Sequence, residues 1–295
     1  MSIEKVLADL RAKKEKLEQM IAELEGDSEI YQPETMQQVV ERVKSRPPLQ
    51  KFATGIDWLD VNMAGGLSEA TFINLAGENY SGKTFLAMKI MEHIANYERV
   101  FFFSFEMYEG LLAKRVRHWS EVQLHNLLIE QKATDLYRIA EIVRMERQRG
   151  VKLFVIDSRM KITISQKMDI YEKNSEITRV LSKVTQETGA TILLINQISE
   201  ADLRNGRLSL KGSGDQAYDS DVIIYIAIER DKDGMPAKRH YICTKDRVNE
   251  RTWRHTEPIE QLSVYQPSEP EPEPAPEPEQ GQGEFDFDAI ESIRI

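Results

Sequence analysis

The stretch "TFINLAGENYSGKTFLAMK", residues 71–89, decides the fold of this chain. Its apolar first part, 71–77, is typical of a buried strand, and the residues from Lys83 onward predict a helix. Between strand and helix, residues 77–84 fit the pattern G-x-x-x-x-G-K-[ST]. A glycine-rich loop in this position predicts an α/β fold that binds phosphate groups at the loop.

The predicted loop has a defined chemistry. Its glycines let backbone N–H groups curl around phosphate oxygens, and the helix N-terminus adds a favourable partial charge. We expect Lys83 to reach the β- and γ-phosphates and the Thr84 hydroxyl to be a ligand of Mg²⁺. The predicted nucleotide-binding residues are Gly77, Glu78, Asn79, Tyr80, Ser81, Gly82, Lys83 and Thr84. The motif by itself therefore predicts a nucleoside triphosphate and Mg²⁺ as ligands.

Two acidic residues follow predicted strands. Asp157 ends the apolar run "LFVI", a position that suits a carboxylate holding a magnesium-bound water, although such a residue is also common in turns and helix caps. Glu106 follows the run "RVFFFSF" and should lie at the same sheet edge as the loop, because parallel strands end together. There it could orient and deprotonate the attacking water. The alternative is a structural ion pair with Arg115 or Arg117.

The remaining pattern extends this fold. Apolar runs predict strands at 71–77, 99–105, 152–158, 191–197 and 221–230. Helices are predicted over 83–97 and over about 172–188, and the region at about 107–148 is predicted to be largely helical. The segments "RHYICTKD" and "ERTWRHT" predict a closing hairpin around "RVN". Apolar strands separated by helices indicate a mainly parallel sheet covered by helices on both faces.

The N-terminal residues 1–49 form a separate predicted unit. Residues 2–25 predict an amphipathic helix whose apolar positions alternate in steps of four and three, with Lys14 in one core position. This helix would serve either for self-association or for docking on a neighbouring domain. A second, linker helix is predicted over 34–44.

The C-terminal residues 268–295 form an acidic tail beyond the predicted domain at 50–267. The tail has nine acids and one base, a charge of -8, so that the total of -10 leaves -2 for the rest of the chain. Its alternating Glu-Pro part, 268–280, predicts a disordered, extended spacer. The tail ends in "GEFDFDAIESIRI", which is either a peptide offered to a partner or a solvated tail that folds back.

Composition excludes several classes of protein. Cys243 is the one cysteine, so no internal disulfide forms, and a reducing, cytoplasmic setting is expected. Membrane insertion is not expected, because no apolar run approaches the roughly 18 residues that span a bilayer. The five histidines lack the spacing of metal ligands.

Taken together, the motifs resemble the RecA-like ATPase superfamily and, within it, the motor domain of DnaB-type replicative DNA helicases. The matching segments are "TGIDWLD…GGL" (54–67), "FSFEM" with Arg115 nine residues after Glu106, "NSEITRVLSKVTQETGATILLINQIS" (174–199), "KGSGDQAYDSD" (211–221) and "TKDR" (244–247). The resemblance covers about 50–256. Since only about 50 residues precede it, we expect the large helical N-terminal domain of that family to be absent.

The resemblance implies a role for each matching residue. Glu106 would be the catalytic base and Asp157 the acid of the magnesium site, with ATP as the nucleotide. Gln197 would sense the γ-phosphate. Lys245 and Arg247 would reach the γ-phosphate of a neighbouring subunit, where Arg247 stabilises charge in the transition state. A residue acting in the neighbour implies a homo-oligomer, either a ring or a filament with sites at subunit interfaces, and the family favours a hexameric ring.

The resemblance also implies partners and a function. The segment 200–216 matches the region that faces single-stranded DNA, with Arg204, Arg207 and Lys211 as phosphate contacts, although an ordinary solvated turn is the alternative. The function implied is an ATP-dependent helicase of DNA replication. One alternative is a RecA-like ATPase that pairs strands or loads a helicase without unwinding. Another is an adaptor whose tail recruits a replication protein.

Overall fold

The computed structural model describes residue 14 and residues 33–45, 48–198 and 219–259. Its strands are β1 (Lys51–Phe52), β2 (Leu67–Ser68), β3 (Phe72–Gly77), β4 (Arg99–Ser104), β5 (Leu127–Glu130), β6 (Val151–Asp157), β7 (Thr191–Gln197), β8 (Val222–Arg230), β9 (Pro236–Asp246) and β10 (Trp253–Pro258). Its helices are α1 (Met36–Lys44), α2 (Asp57–Asn62), α3 (Lys83–Ile94), α4 (Glu109–Val116), α5 (Glu121–Asn126), α6 (Leu136–Gln148) and α7 (Ile170–Thr188), with a 3₁₀ turn at Arg159–Lys161.

Eight strands form one sheet in the order β10-β9-β8-β3-β7-β6-β4-β5. The six strands from β8 to β5 are parallel, and β9 and β10 close one side as antiparallel neighbours. β1 and β2 make a separate antiparallel pair. The carboxyl ends of the parallel strands therefore meet at one edge, where ligands bind in open α/β sheets.

The pleat of β4 shows how the sheet separates two cores. Phe102 packs with α3 on one face, whereas Phe101 and Phe103 pack with α6 and α7 on the other face. Successive side chains of a strand point to opposite faces, so an uninterrupted apolar run is what a strand buried on both faces requires. The sheet with helices on both faces confirms the predicted fold class.

Local signals set the helix ends. Capping boxes begin three helices, formed by Thr35 with Gln38 at α1, Ser120 with Gln123 at α5, and Asp169 with Glu172 at α7. In each box the two side chains satisfy backbone N–H groups that have no partner within the helix. Gly189, in the left-handed region at φ 67°, ends α7.

Most predicted elements are confirmed within one to three residues, including the linker helix, found at Met36–Lys44, and the closing hairpin of β9 and β10. One element was missed. The region at 107–148 is largely helical, as predicted, but it also contains the edge strand β5, which pairs with β4. Four residues after a capped helix are too few to produce a clear alternation. The predicted helix at 2–25, apart from residue 14, and the tail at 268–295 lie outside the described residues.

Within the ranges that the structure describes, no helix is both long enough and apolar enough to span a membrane.

The central position of β4 leads to a stability prediction. Phe102 is fully buried, so Phe102→Ala should lower the free energy of unfolding by about 3–5 kcal/mol through lost burial and the cavity it leaves. Urea unfolding followed by circular dichroism measures this loss. The control Val122→Ala, at a side chain that is 56% exposed, should change it by no more than about 0.5 kcal/mol. Equal losses in both variants would contradict the assignment of Phe102 to the core.

Candidate nucleotide site

The phosphate loop leaves β3 at Gly77 and enters α3 at Lys83. Gly82 has φ 98°, which is accessible to glycine without strain. A side chain at Gly77 would collide with neighbouring atoms, since an added Cβ would lie 2.6 Å from the carbonyl oxygen of Ile226 and 2.7 Å from Ser81 Oγ. Both glycines of the motif are thus required by the backbone path of the loop.

The ammonium of Lys83 lies inside the phosphate loop and contacts its backbone. Its Nζ donates to the carbonyl oxygens of Gly77 (3.1 Å) and Glu78 (2.7 Å), and the residue is 8% exposed. Burial lowers the pKa of Lys83, while the negative charges of Asp157, Glu106 and Glu78 oppose that shift. A cation held among loop carbonyls is available to an incoming phosphate.

Thr84 and Asp157 form the contact expected of a magnesium site. Thr84 Oγ1 donates to Asp157 Oδ2 at 2.7 Å. Asp157 is 2% exposed, and within the described part of the chain its Oδ1 atom accepts no hydrogen bond. Burial raises the pKa of Asp157 to about 6, and the nearby Glu106 adds to the rise, while Thr84 and Lys83 oppose it.

This donor set fits Mg²⁺. A hydroxyl and a carboxylate are hard oxygen ligands, and Mg²⁺ in nucleotide sites usually takes one or two protein ligands together with water and phosphate oxygens. The buried Asp157 Oδ1 supplies an acceptor for such a metal-bound water. Among the residues described, no cluster of three or more His, Cys, Asp or Glu could hold a metal alone.

Glu106 lies just beyond β4, at the same edge. Its Oε1 atom accepts a hydrogen bond from the Ser158 hydroxyl, which orients the carboxylate. The alternative ion pair is not formed, because neither Arg115 nor Arg117 lies within 4.0 Å of Glu106 in the described structure. An exposed, oriented carboxylate is suited to accept a proton from water.

These groups line one cavity of about 530 Å³. The predicted residues that it brings together are Asn79, Tyr80, Gly82, Lys83, Thr84, Glu106, Asp157 and Gln197. The strand register explains the meeting, since Gly77 pairs with Gln197 and Ser104 pairs with Asp157. A cavity of this size is typical of small-molecule sites.

Other predicted residues lie elsewhere. The Glu78 carboxylate accepts the backbone N–H of Ile228 at 3.2 Å and does not line the cavity. Lys245 and Arg247, near the end of β9, do not line it either. Burial lowers the pKa of Lys245, and the charge of Arg247 adds to this. A role for these two residues in a neighbouring subunit stays a prediction, and the predicted DNA contacts Arg204, Arg207 and Lys211 lie outside the described residues.

Sequence reasoning missed three residues around the loop. Ser158 could have been found, because it directly follows Asp157. Phe85, next to Thr84, lines the cavity, and Lys89 Nζ lies over its ring at 4.9 Å from the centroid, a cation–π contact. Arg239 donates from β9 to the Ser81 carbonyl oxygen at 3.0 Å, a contact that no sequence pattern indicates.

Residues 52–132 match the DnaB-like helicase C terminal domain. The replicative DNA helicase DnaB of Treponema pallidum is 24% identical over 239 residues, which cover 68% of this chain and 53% of that protein. The chain thus spans about half the length of this relative. The resemblance to DnaB-type helicases is confirmed.

Solved structures agree on the fold. A KaiC-like protein of the archaeon Pyrococcus horikoshii aligns with a TM-score of 0.57 at 22% identity, covering 72% of this chain and 95% of that one. A DnaB-like replicative helicase, studied with its primase interactions, aligns with a TM-score of 0.59 at 20% identity, covering 86% of this chain and 71% of that one. These alignments confirm the RecA-like ATPase fold.

The raised pKa of Asp157 gives a pH prediction for protein in EDTA without nucleotide. The unfolded state loses this proton at the ordinary pKa of 3.8 and the folded state only at about 6. Stability therefore falls as pH rises between these two values, and the full cost is present above about pH 6. Asp157→Asn should therefore be more stable than wild type at pH 8, by about 1–3 kcal/mol, with the difference vanishing towards pH 4.

Chemical denaturation across this pH range measures the difference in the free energy of unfolding. The control is the same substitution in the β8–β9 turn, Asp233→Asn. A pH-independent difference for Asp157→Asn, or a loss of stability at pH 8, would contradict the prediction.

Proposed function

We propose that this chain is an oligomeric ATPase that translocates on single-stranded DNA and separates duplex strands during DNA replication. The observation that carries the proposal is the meeting of Lys83, the Thr84–Asp157 pair, Glu106 and Gln197 in one cavity. The match of residues 52–132 to a helicase domain favours DNA as the polymer along which the protein moves.

The proposed chemistry assigns a step to each side chain. Loop N–H groups and Lys83 bind the β- and γ-phosphates, and Glu106, oriented by Ser158, takes the proton of the attacking water. Thr84 and Asp157 would hold Mg²⁺, which neutralises charge on the β- and γ-phosphate oxygens when bound. Gln197, at the end of β7, would register loss of the γ-phosphate.

Two observations support a homo-oligomer, which we propose to be a hexameric ring. Lys245 and Arg247 lie outside the cavity of their own chain, so the phosphate contact that the resemblance implies for them would be made in a second subunit. Helix α1 buries none of its residues in the described structure and exposes apolar side chains, namely Met36, Val40 and Val43. Such a face is stabilised when another surface covers it.

The proposed partners follow from charge. Arg204, Arg207 and Lys211 would contact the phosphates of single-stranded DNA, and binding would then weaken as salt rises. The acidic tail at 268–295 would carry its terminal apolar peptide to a replication protein. The second candidate function is a RecA-like ATPase that pairs strands or loads a helicase. The fold does not separate it from a helicase, because the chain aligns with a KaiC-like protein (TM-score 0.57) nearly as well as with a DnaB-like helicase (TM-score 0.59).

The first functional prediction concerns Glu106. Glu106→Gln should bind ATP with the affinity of wild type but lower kcat by at least about 100-fold, because the general base is lost. Fluorescence titration and steady-state ATPase assays measure the two quantities. Lys83→Ala should lose binding, and the matched control Glu109→Gln, in the first turn of α4, should resemble wild type.

The same proteins test the helicase proposal through DNA-stimulated ATPase and strand displacement. Wild type should do both, and Glu106→Gln neither. Lack of stimulation by any nucleic acid would refute the proposal. Stimulation without strand displacement would favour the second candidate function, and full function of both Lys83→Ala and Glu106→Gln in vivo would favour an adaptor.

The second functional prediction concerns Arg247 as a residue of the neighbouring site. Arg247→Ala and Glu106→Gln should each be inactive alone, whereas mixed subunits should regain ATPase activity, because some interfaces then combine an intact Glu106 with an intact Arg247. Arg254→Ala, on the exposed side of β10, is the control and should stay active. Absence of recovery in verified mixed assemblies would argue that Arg247 acts within its own chain.

A further inference from the structure

The outer side of the phosphate loop is bound to the β8–β9 hairpin at two points. Glu78 Oε1 accepts the backbone N–H of Ile228 on β8 at 3.2 Å. Arg239 Nε on β9 donates to the carbonyl oxygen of Ser81 at 3.0 Å. These contacts lie near opposite ends of the loop, and both are made by atoms outside the phosphate cavity.

The guanidinium of Arg239 is itself held in place. Its Nη1 atom lies 3.0 Å from Glu257 Oε1, the cross-strand neighbour on β10. The same Glu257 oxygen accepts the hydroxyl of the buried Tyr241 at 2.7 Å. The Arg239 side chain is 20% exposed and that of Glu257 is 32% exposed. A planar guanidinium can serve both acceptors from one fixed position, which a flexible lysine cannot do.

The guanidinium also covers the glycine that precedes Lys83. A Cβ added at Gly82 would lie 3.2 Å from Arg239 Nη2. The loop therefore has the phosphate cavity on its inner side and a fixed cation on its outer side. Backbone N–H groups bind phosphate best when they already point at it, since ordering a loop during binding costs affinity.

We propose that Arg239 is a positioning residue for ATP. From the β8–β9 hairpin it fixes the outer side of the phosphate loop, so the shape of the phosphate site depends on a strand far away in sequence. Glu257 and Tyr241 fix the guanidinium, and Glu78 provides the second attachment of the loop. This inference rests on the proposed function, because it takes ATP as the ligand of the loop.

The test measures ATP affinity and turnover of the full chain carrying Arg239→Gln. The variant should raise the Kd and KM for ATP about tenfold, as expected for loss of a charge-assisted hydrogen bond, with kcat changed by less than about twofold. Arg239→Lys should lie between the variant and wild type. Arg254→Gln, the same substitution on the neighbouring strand β10, should match wild type.

The split between KM and kcat separates positioning from a merely structural role, which would lower thermal stability and active fraction without changing KM. If Arg239→Gln does not fold, Glu257→Gln is measured in its place, and its KM for ATP should also rise. A folded Arg239→Gln or Glu257→Gln protein with wild-type KM would overturn the inference. Failure of wild type to bind ATP would instead refute the proposed function, so the two failures are distinguishable.

Discussion

The register of the parallel strands governs where the strand-end groups of the candidate nucleotide site lie. Gly77 is level with Gln197 across β3 and β7, and Ser104 is level with Asp157 across β4 and β6. Backbone hydrogen bonds fix this alignment, and a slip of one residue would turn each apolar side chain to the wrong face. The two buried cores therefore hold the register, and the register brings residues distant in sequence to one edge of the sheet.

The electrostatics of the site follow from that convergence. Three carboxylates, those of Glu78, Glu106 and Asp157, act on the ammonium of Lys83, and Asp157 is buried where ionisation is costly. A buried acid with a raised pKa is a poor contributor to stability and a good partner for a divalent cation. Such a cost in folded-state stability is common at functional sites, and in the proposed function the binding of Mg²⁺ and nucleotide would offset it.

Much of this could be predicted because the signals are local. The loop motif lies between a strand and a helix, and Asp157, Glu106 and Gln197 each end an apolar run whose edge the parallel topology specifies. Arg239 could not be predicted, because it contacts Ser81 across 158 residues and its own strand carries no motif at that position. The edge strand β5 was missed because its four residues give no periodicity that separates them from the helices on either side.

The strand β9 has a different contact at each end. Near its start, Arg239 lies against the phosphate loop of its own chain, and near its end stands Lys245, which is proposed to face the next subunit. Between them the strand is paired with β8 and β10 and contributes the buried Cys243 to the core, where burial raises the pKa of the thiol to about 12. In the proposed ring, one strand would thus contact two successive ATP sites. A displacement of the strand at one site would move its contacts at the other.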